Sequence, residues 1–300
     1  GFAALEDQNF TTATDSYNTA VGHAAGTNVT TGIQNTIIGG LAGDALTDAD
    51  FNTVLGYNAL STDTLGSRSV AIGFQALLDQ NFTTATDTYN VAVGYNAGTN
   101  VTTGILNTLV GGQAGDALTE GGRNVAMGKG ALTNDTLGSR SVALGQSALA
   151  AQNFTTATDT YNTAVGHAAG GAVTTGASNT LIGGLAGDAL TVGNSNVAVG
   201  TASLTTDTKG DRAVAIGVGA LENQNFTTST DNYNVAVGRD AGNDITTGTQ
   251  NTLIGGLAGD ALTDADFNVA VGYNTLGLDT LGSRSTAIGH NSLANQNFTT

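Results

Sequence analysis

The chain has no cysteine, no proline and no tryptophan, and its single methionine is Met127. Without cysteine no disulfide can staple it, although that absence identifies no compartment. Basic residues are scarce: 8 Lys and Arg stand against 24 Asp and Glu, for a net charge of −16. A charge of that sign disfavours nucleic acid and anionic membrane surfaces as partners and favours solubility. No apolar run approaches the length of a membrane span, and no stretch reads as a signal peptide. Yet 40% of the residues are apolar, too many and too evenly spread for a disordered acidic chain.

What is present is repetition. Phe10, Phe82, Phe154, Phe226 and Phe298 stand 72 residues apart. Each 72-residue block holds four shorter units of 17, 17, 17 and 21 residues, the first set opening at Asn18, Asn35, Asn52 and Ser69. The blocks are 18–89, 90–161, 162–233 and a partial 234–300, preceded by a partial unit at 1–17. Fixed spacing without insertions predicts one continuous solenoid over 1–300, each unit stacked on the last. A start at a glycine that matches Gly73 and an end within "QNFTT" read as a window cut from a longer repeat protein.

Within a unit, position one is Asn in most cases, position two Thr or Val, position three apolar and position four a larger apolar residue. Position five is glycine in all sixteen units, which predicts a positive φ or a close backbone approach at a corner. Position eight is always small, so that coils stack without a clash. An apolar anchor follows at position twelve in the first two unit types (Val29, Leu46, Val101, Leu118, Val173, Leu190, Ile245, Leu262). In the other two, Leu takes position nine and the anchor moves to position fourteen, as in Leu60 with Leu65 or Leu77 with Phe82; Lys209 breaks that pattern and predicts a weak point. Nothing has helical period and β-branched residues dominate. The fold class is therefore all-β, a parallel β-roll or β-solenoid with two short strands per 17-residue coil. Sixteen coils at about 4.8 Å each give a rod of roughly 75–80 Å.

Alternation along the first strand puts positions two and four on one face and position three on the other. Position four, the larger, is assigned to the interior. Position three then faces outward, and because it is never polar it predicts a contact between copies of the chain. Ala20, Ile37, Val54, Ala71, Ala92, Leu109, Leu181 and Leu253 are the candidate interface residues.

The pentapeptides "SVAIG" at 69–73, "SVALG" at 141–145, "AVAIG" at 213–217 and "STAIG" at 285–289 resemble the head repeats of trimeric autotransporter adhesins, the YadA-like family. Similar "NTAVGxxAG" arrays occur in tailed-phage fibres. The resemblance covers essentially all sixteen units. It implies a left-handed parallel roll, a homotrimer and a role in extracellular attachment, as an adhesin shaft or surface fibre at the cell surface. The alternatives are a phage tail-fibre segment on a virion and a self-assembling filament without a receptor. These units are longer than the usual head repeat, and neither a coiled-coil stalk nor a membrane-anchor barrel lies within them.

Other motifs carry less. "GGLAGDALT" at 39–47 resembles a calcium-binding nonapeptide, but Ala42 replaces a glycine, and the equivalents Asp116, Asp188 and Asp260 of Asp44 come four coils apart, so a turn is favoured over a cation site. His23, His167 and His290 share the tolerant sixth position and form neither a metal site nor a base. No serine or carboxylate pair recurs with a histidine, so the chain reads as no enzyme, with no cofactor. Threonine content suggests ice binding, but position two is assigned an inward direction. The candidate lateral contact is the tail of each fourth unit, where extra residues bulge from the coil: Asn81, Phe82, Thr83, Asp87 and Tyr89, with Asn153, Phe154, Asn225 and Phe226 in later copies. Asn9, Asn81, Asn153, Asn225 and Asn297 also head glycosylation sequons. A host surface protein or a glycan is the partner such loops suit, and multivalency along the array would compensate weak single sites.

Overall fold

The structure is a computed structural model that describes residues 1–299. It is all-β, with no helix among the described residues, and consists of parallel stacked coils in about 16 turns, a β-solenoid. Two compact units divide the chain, one of Gly1–Gln146 with Asn153–Asp159 and the other of Ser147–Gln152 with the chain from Thr160 onward.

In the first unit each coil contributes one three-residue strand, from Thr19–Val21 and Thr36–Ile38 through to Val142–Leu144. Neighbours pair parallel and in strict register, so that Thr36 lies beside Thr53, Ile37 beside Val54 and Ile38 beside Leu55. The second unit repeats the pattern from Thr163–Val165 to Thr286–Ile288. Further ladders, two residues long, join third to fourth units: Gly66–Ser67 with Thr86–Asp87, Gly138–Ser139 with Thr158–Asp159, and Gly210–Asp211 with Thr230–Asp231.

Register is held by the first position of the unit. The asparagine side chain is fully buried and bridges two coils. Asn35 Nδ2 donates to the Ala49 carbonyl at 2.7 Å, while its Oδ1 accepts the Asn52 backbone N–H at 2.9 Å. Asn107 does the same toward Asn124, and in the second unit Asn179 toward Asn196, both at 3.0 Å. A buried amide with its donor and acceptor both used is stabilising, whereas a slipped coil would orphan both. The glycine corner is the second constraint. Gly94 has a φ of 142°, and a Cβ there would stand 2.5 Å from the carbonyl oxygen of Gly111 in the next coil. Both the conformation and the close approach exclude any other residue.

The strand faces the opposite way from the sequence-based assignment. Position three points inward: Ile37, Val54, Ala71, Ala92, Leu109, Leu181 and Leu253 have no exposed area, and Ala20 is half-buried near the start. These residues form the core of a single chain and not an interface between chains. Position four points outward, with Val21 56%, Leu55 44% and Met127 44% exposed. The reason is volume. In the first two unit types position nine is glycine, and the large position-three residue of the second type fills that space; a Cβ on Gly98 would meet Leu109 Cδ1 at 2.7 Å. In the other types Leu at position nine, such as Leu60 and Leu77, is itself buried, and position three shrinks mostly to alanine. The position-twelve anchors, Val29 and Leu46 among them, are buried as their spacing predicts. Position fourteen is only half-buried at Leu65 and Leu137, so Lys209 there disturbs no core.

The fourth unit interrupts the asparagine ladder and repairs it. Ser69 and Ala213 occupy position one, where neither side chain can reach the next coil as asparagine does. Thr88, within the longer tail, supplies the missing acceptor: the Asn90 N–H donates to its Oγ1 at 3.4 Å. Where alanine removes the last polar atom, Asn232 takes the role and accepts from Asn234 N–H at 2.9 Å.

Two outcomes follow. Gly94→Ala should lower unfolding free energy by about 3 kcal/mol or more, since a backbone clash adds to left-handed strain, whereas Tyr95→Ala, at an exposed site, should change it by less than about 0.5 kcal/mol; equal denaturation midpoints would contradict the stacking geometry. Ala92→Arg should unfold the chain itself, read as lost circular dichroism at any protein concentration.

Candidate functional site

Three surfaces remain once the core is assigned. The first is the outer face of the three-residue strands, lined by positions two and four. Position four is aliphatic or methionine in every coil, and Ile182, Ile216 and Ile254 are each more than a third exposed. Position two reaches this surface too, contrary to its inward assignment, but Val70, Val91, Val125 and Val142 break the threonine file.

The second surface is the tail of the fourth unit. Its phenylalanines do not project: Phe82 and Phe154 are 7% exposed and Phe226 6%. The cause is a buried carboxylate that composition could not flag. Asp63, at position twelve, accepts the N–H of Gly66 at 3.1 Å and of Phe82 at 3.0 Å through Oδ1, and Gln80 Nε2 at 2.6 Å through Oδ2. Gln80 passes the network to Asn90, whose Nδ2 donates to Gln80 Oε1 at 2.8 Å. Asp207, Gln224, Phe226 and Asn234 repeat it in the second unit. Burial pushes the Asp63 and Asp207 carboxyls above the usual carboxylate range, opposed by these donors. What faces solvent is the bulge itself, Thr83, Thr84 and Ala85, with Asp87 and Tyr89 beside it. Asp87 pairs with Arg68 at 2.8 Å, a solvent-screened bridge that adds little to stability. Asn81 is half-buried, and Asn153 and Asn225 each accept a threonine hydroxyl at 3.1 Å.

The third surface is the column at position six. Tyr57, Phe74 and Tyr95 stack with ring centroids 5.8 and 5.4 Å apart, and Tyr273 stacks on His290 at 5.7 Å. His23, His167 and His290 are each exposed at position six. Among the described residues no group of three or more His, Asp or Glu side chains gathers to hold a metal. Of the four aspartates in the nonapeptide-like turn, Asp116 accepts Thr133 Oγ1 at 2.5 Å and Asp188 accepts Thr205 Oγ1. Asp44 and Asp260 each keep a buried Oδ1 with no partner.

No family model, curated protein or solved structure matches the chain.

Two predictions concern the fourth-unit tail. Deleting Thr83–Ala85 and its copies should leave the fold intact, whereas a cut that also removes Thr88 should lower the melting temperature, because Asn90 N–H then loses its acceptor. For the buried carboxylates the folded pKa lies above the unfolded one, so their contribution favours folding at pH below the unfolded carboxylate pKa and is lost as pH rises through the folded value. Thermal melting from about pH 4 to 7 should therefore fall less steeply with pH in Asp63→Asn/Asp207→Asn than in wild type; parallel slopes would contradict the burial effect.

Proposed function

We propose that the chain is a structural segment of an extracellular attachment fibre, an adhesin shaft at a cell surface, in which three copies of a left-handed roll associate side by side. The observation that supports association is the outer strand face: within each compact unit, a file of Val, Ile, Leu and Met at position four, every member partly or largely exposed in a single chain. A contiguous apolar surface of this kind marks an interaction site more often than free surface. Placing the copies on positions two and four replaces the position-three contact, since position three is core. The number three comes from the resemblance of the SVAIG-type units to trimeric adhesin heads. Attachment suits a repeated surface because weak, regularly spaced sites act together. The net charge of −16 keeps nucleic acid from being the partner.

Light scattering on the 29.7 kDa chain tests this reading. Three masses per particle are expected for the wild type. Val93→Glu with Val237→Glu should yield folded monomers, because a buried unpaired carboxylate costs several kcal/mol in the assembly and little in a free chain. A monomeric wild type, or a mass unmoved by the two charges, would refute it.

A further inference from the structure

The position-six column has gaps. Every second unit type carries glycine there, at Gly40, Gly112, Gly184 and Gly256. Each gap removes one side chain from a stack, so its flanking side chains stand two coil steps apart, about 9.6 Å. One ring inserted between them would sit about 4.8 Å from each wall, within the range of offset stacking.

The four gaps are not equivalent. At Gly40 and Gly256 the next coil offers a tyrosine face, Tyr57 and Tyr273, while at Gly112 and Gly184 it offers Lys129 and Thr201; Gly112 has a tyrosine, Tyr95, only on the preceding coil. The same two gaps are followed by Asp44 and Asp260, whose buried Oδ1 atoms lack a partner, and the other two by Asp116 and Asp188, which threonines already engage. Tyrosine and unengaged acceptor therefore occur together, once in each compact unit. Around Gly256 they line two neighbouring clefts that share a wall. A cleft of about 260 Å³ is bounded by Arg239, Asp240, Gly256, Leu257 and Tyr273. It shares Asp240 and Leu257 with a second cleft of about 320 Å³ that reaches Asn243, Asp244 and Asp260. A Cβ on Gly256 would lie 3.6 Å from Tyr273 Cδ2, so the glycine leaves open the side of the tyrosine ring.

We propose that these two gaps are carbohydrate subsites, each taking one pyranose ring of a neutral glycan against the face of Tyr57 or Tyr273, with sugar hydroxyls donating to the part-exposed carboxylate of Asp44 or Asp260. Around Gly256 the chemistry selects that class; at Gly40, where His23 forms the opposite wall, Tyr57 and Asp44 carry the extension. The acidic rim of Asp240, Asp244 and Asp260 repels phosphates and uronates. Arg239, whose Nε holds Asp240 Oδ2 at 3.1 Å, places a cation on the opposite wall and disfavours an ammonium ligand. A neutral ring with an apolar face and hydroxyl donors at its edge fits the tyrosine wall and the carboxylate edge of Asp260 that lines the cleft. Each subsite is complete within one chain and stands independently of the proposed trimer, so its failure leaves the mass measurement unaffected.

The test is titration of the whole chain with maltotetraose, cellotetraose and tetra-N-acetylchitotetraose, followed by NMR of the tyrosine ring signals. At least one sugar should shift Tyr57 and Tyr273 saturably. Gly256→Phe, which continues the stack as Phe74 does, should abolish the Tyr273 response and leave that of Tyr57; Gly40→Phe should do the reverse. Tyr273→Ala, at an exposed position, should weaken binding at the second site by about tenfold, the loss of one stacking contact. No response to any of the three sugars, or a response that survives filling both gaps, would overturn the proposal.

Discussion

One backbone register, repeated from coil to coil, governs this molecule. Position-one asparagine locks it, because its buried amide gives a hydrogen to one coil's carbonyl and takes one from the next coil's N–H. A shift by one residue would break both bonds and drive glycine corners into side chains. The 17-residue length follows from that lock. So does the behaviour of the 21-residue unit: a longer tail is admitted only with a residue, Thr88 or Asn232, that restores the acceptor lost when position one is Ser or Ala. The insertion and the substitution in the ladder are a single structural device.

Because stacked coils fill one another's core, the outward positions are released from folding and can diverge. Position six shows this most openly, holding aromatic, basic, small and aliphatic residues along one column. The strand face shows the reverse: position four faces outward yet stays aliphatic or methionine throughout. An outward position under such compositional restraint calls for a partner, while a varied one suits local recognition. The proposed assembly face and the proposed ligand column are thereby built from different positions of one coil.

Much of the fold was legible in the residues. Period, glycine corners and the anchors at position twelve pointed to parallel stacking, since each has a local physical cause. The direction of the strand was not, because alternation gives two faces without saying which is inside. Size was a misleading guide: the core takes Ala92 and leaves Val93 outside. A signal was present, in that large position-three residues fall beside coils with glycine at position nine, as Leu109 does with Gly98. Asp63 and Gln80 were missed for a related reason. Polar residues at position twelve read as surface until their partners, brought from 17 to 19 residues away, are seen. The tail phenylalanines, taken as contact residues, are pins for that same buried network.

Amide hydrogen exchange tests the register lock most directly. The backbone N–H groups of Asn52, Ser69, Asn107 and Asn124 donate to buried side-chain oxygens of the preceding coil. They should exchange as slowly as the strand amides, and far more slowly than those of Thr84 and Ala85 in the exposed bulge. Exchange of the asparagine amides at bulge-like rates would contradict the ladder and the stacking that depends on it.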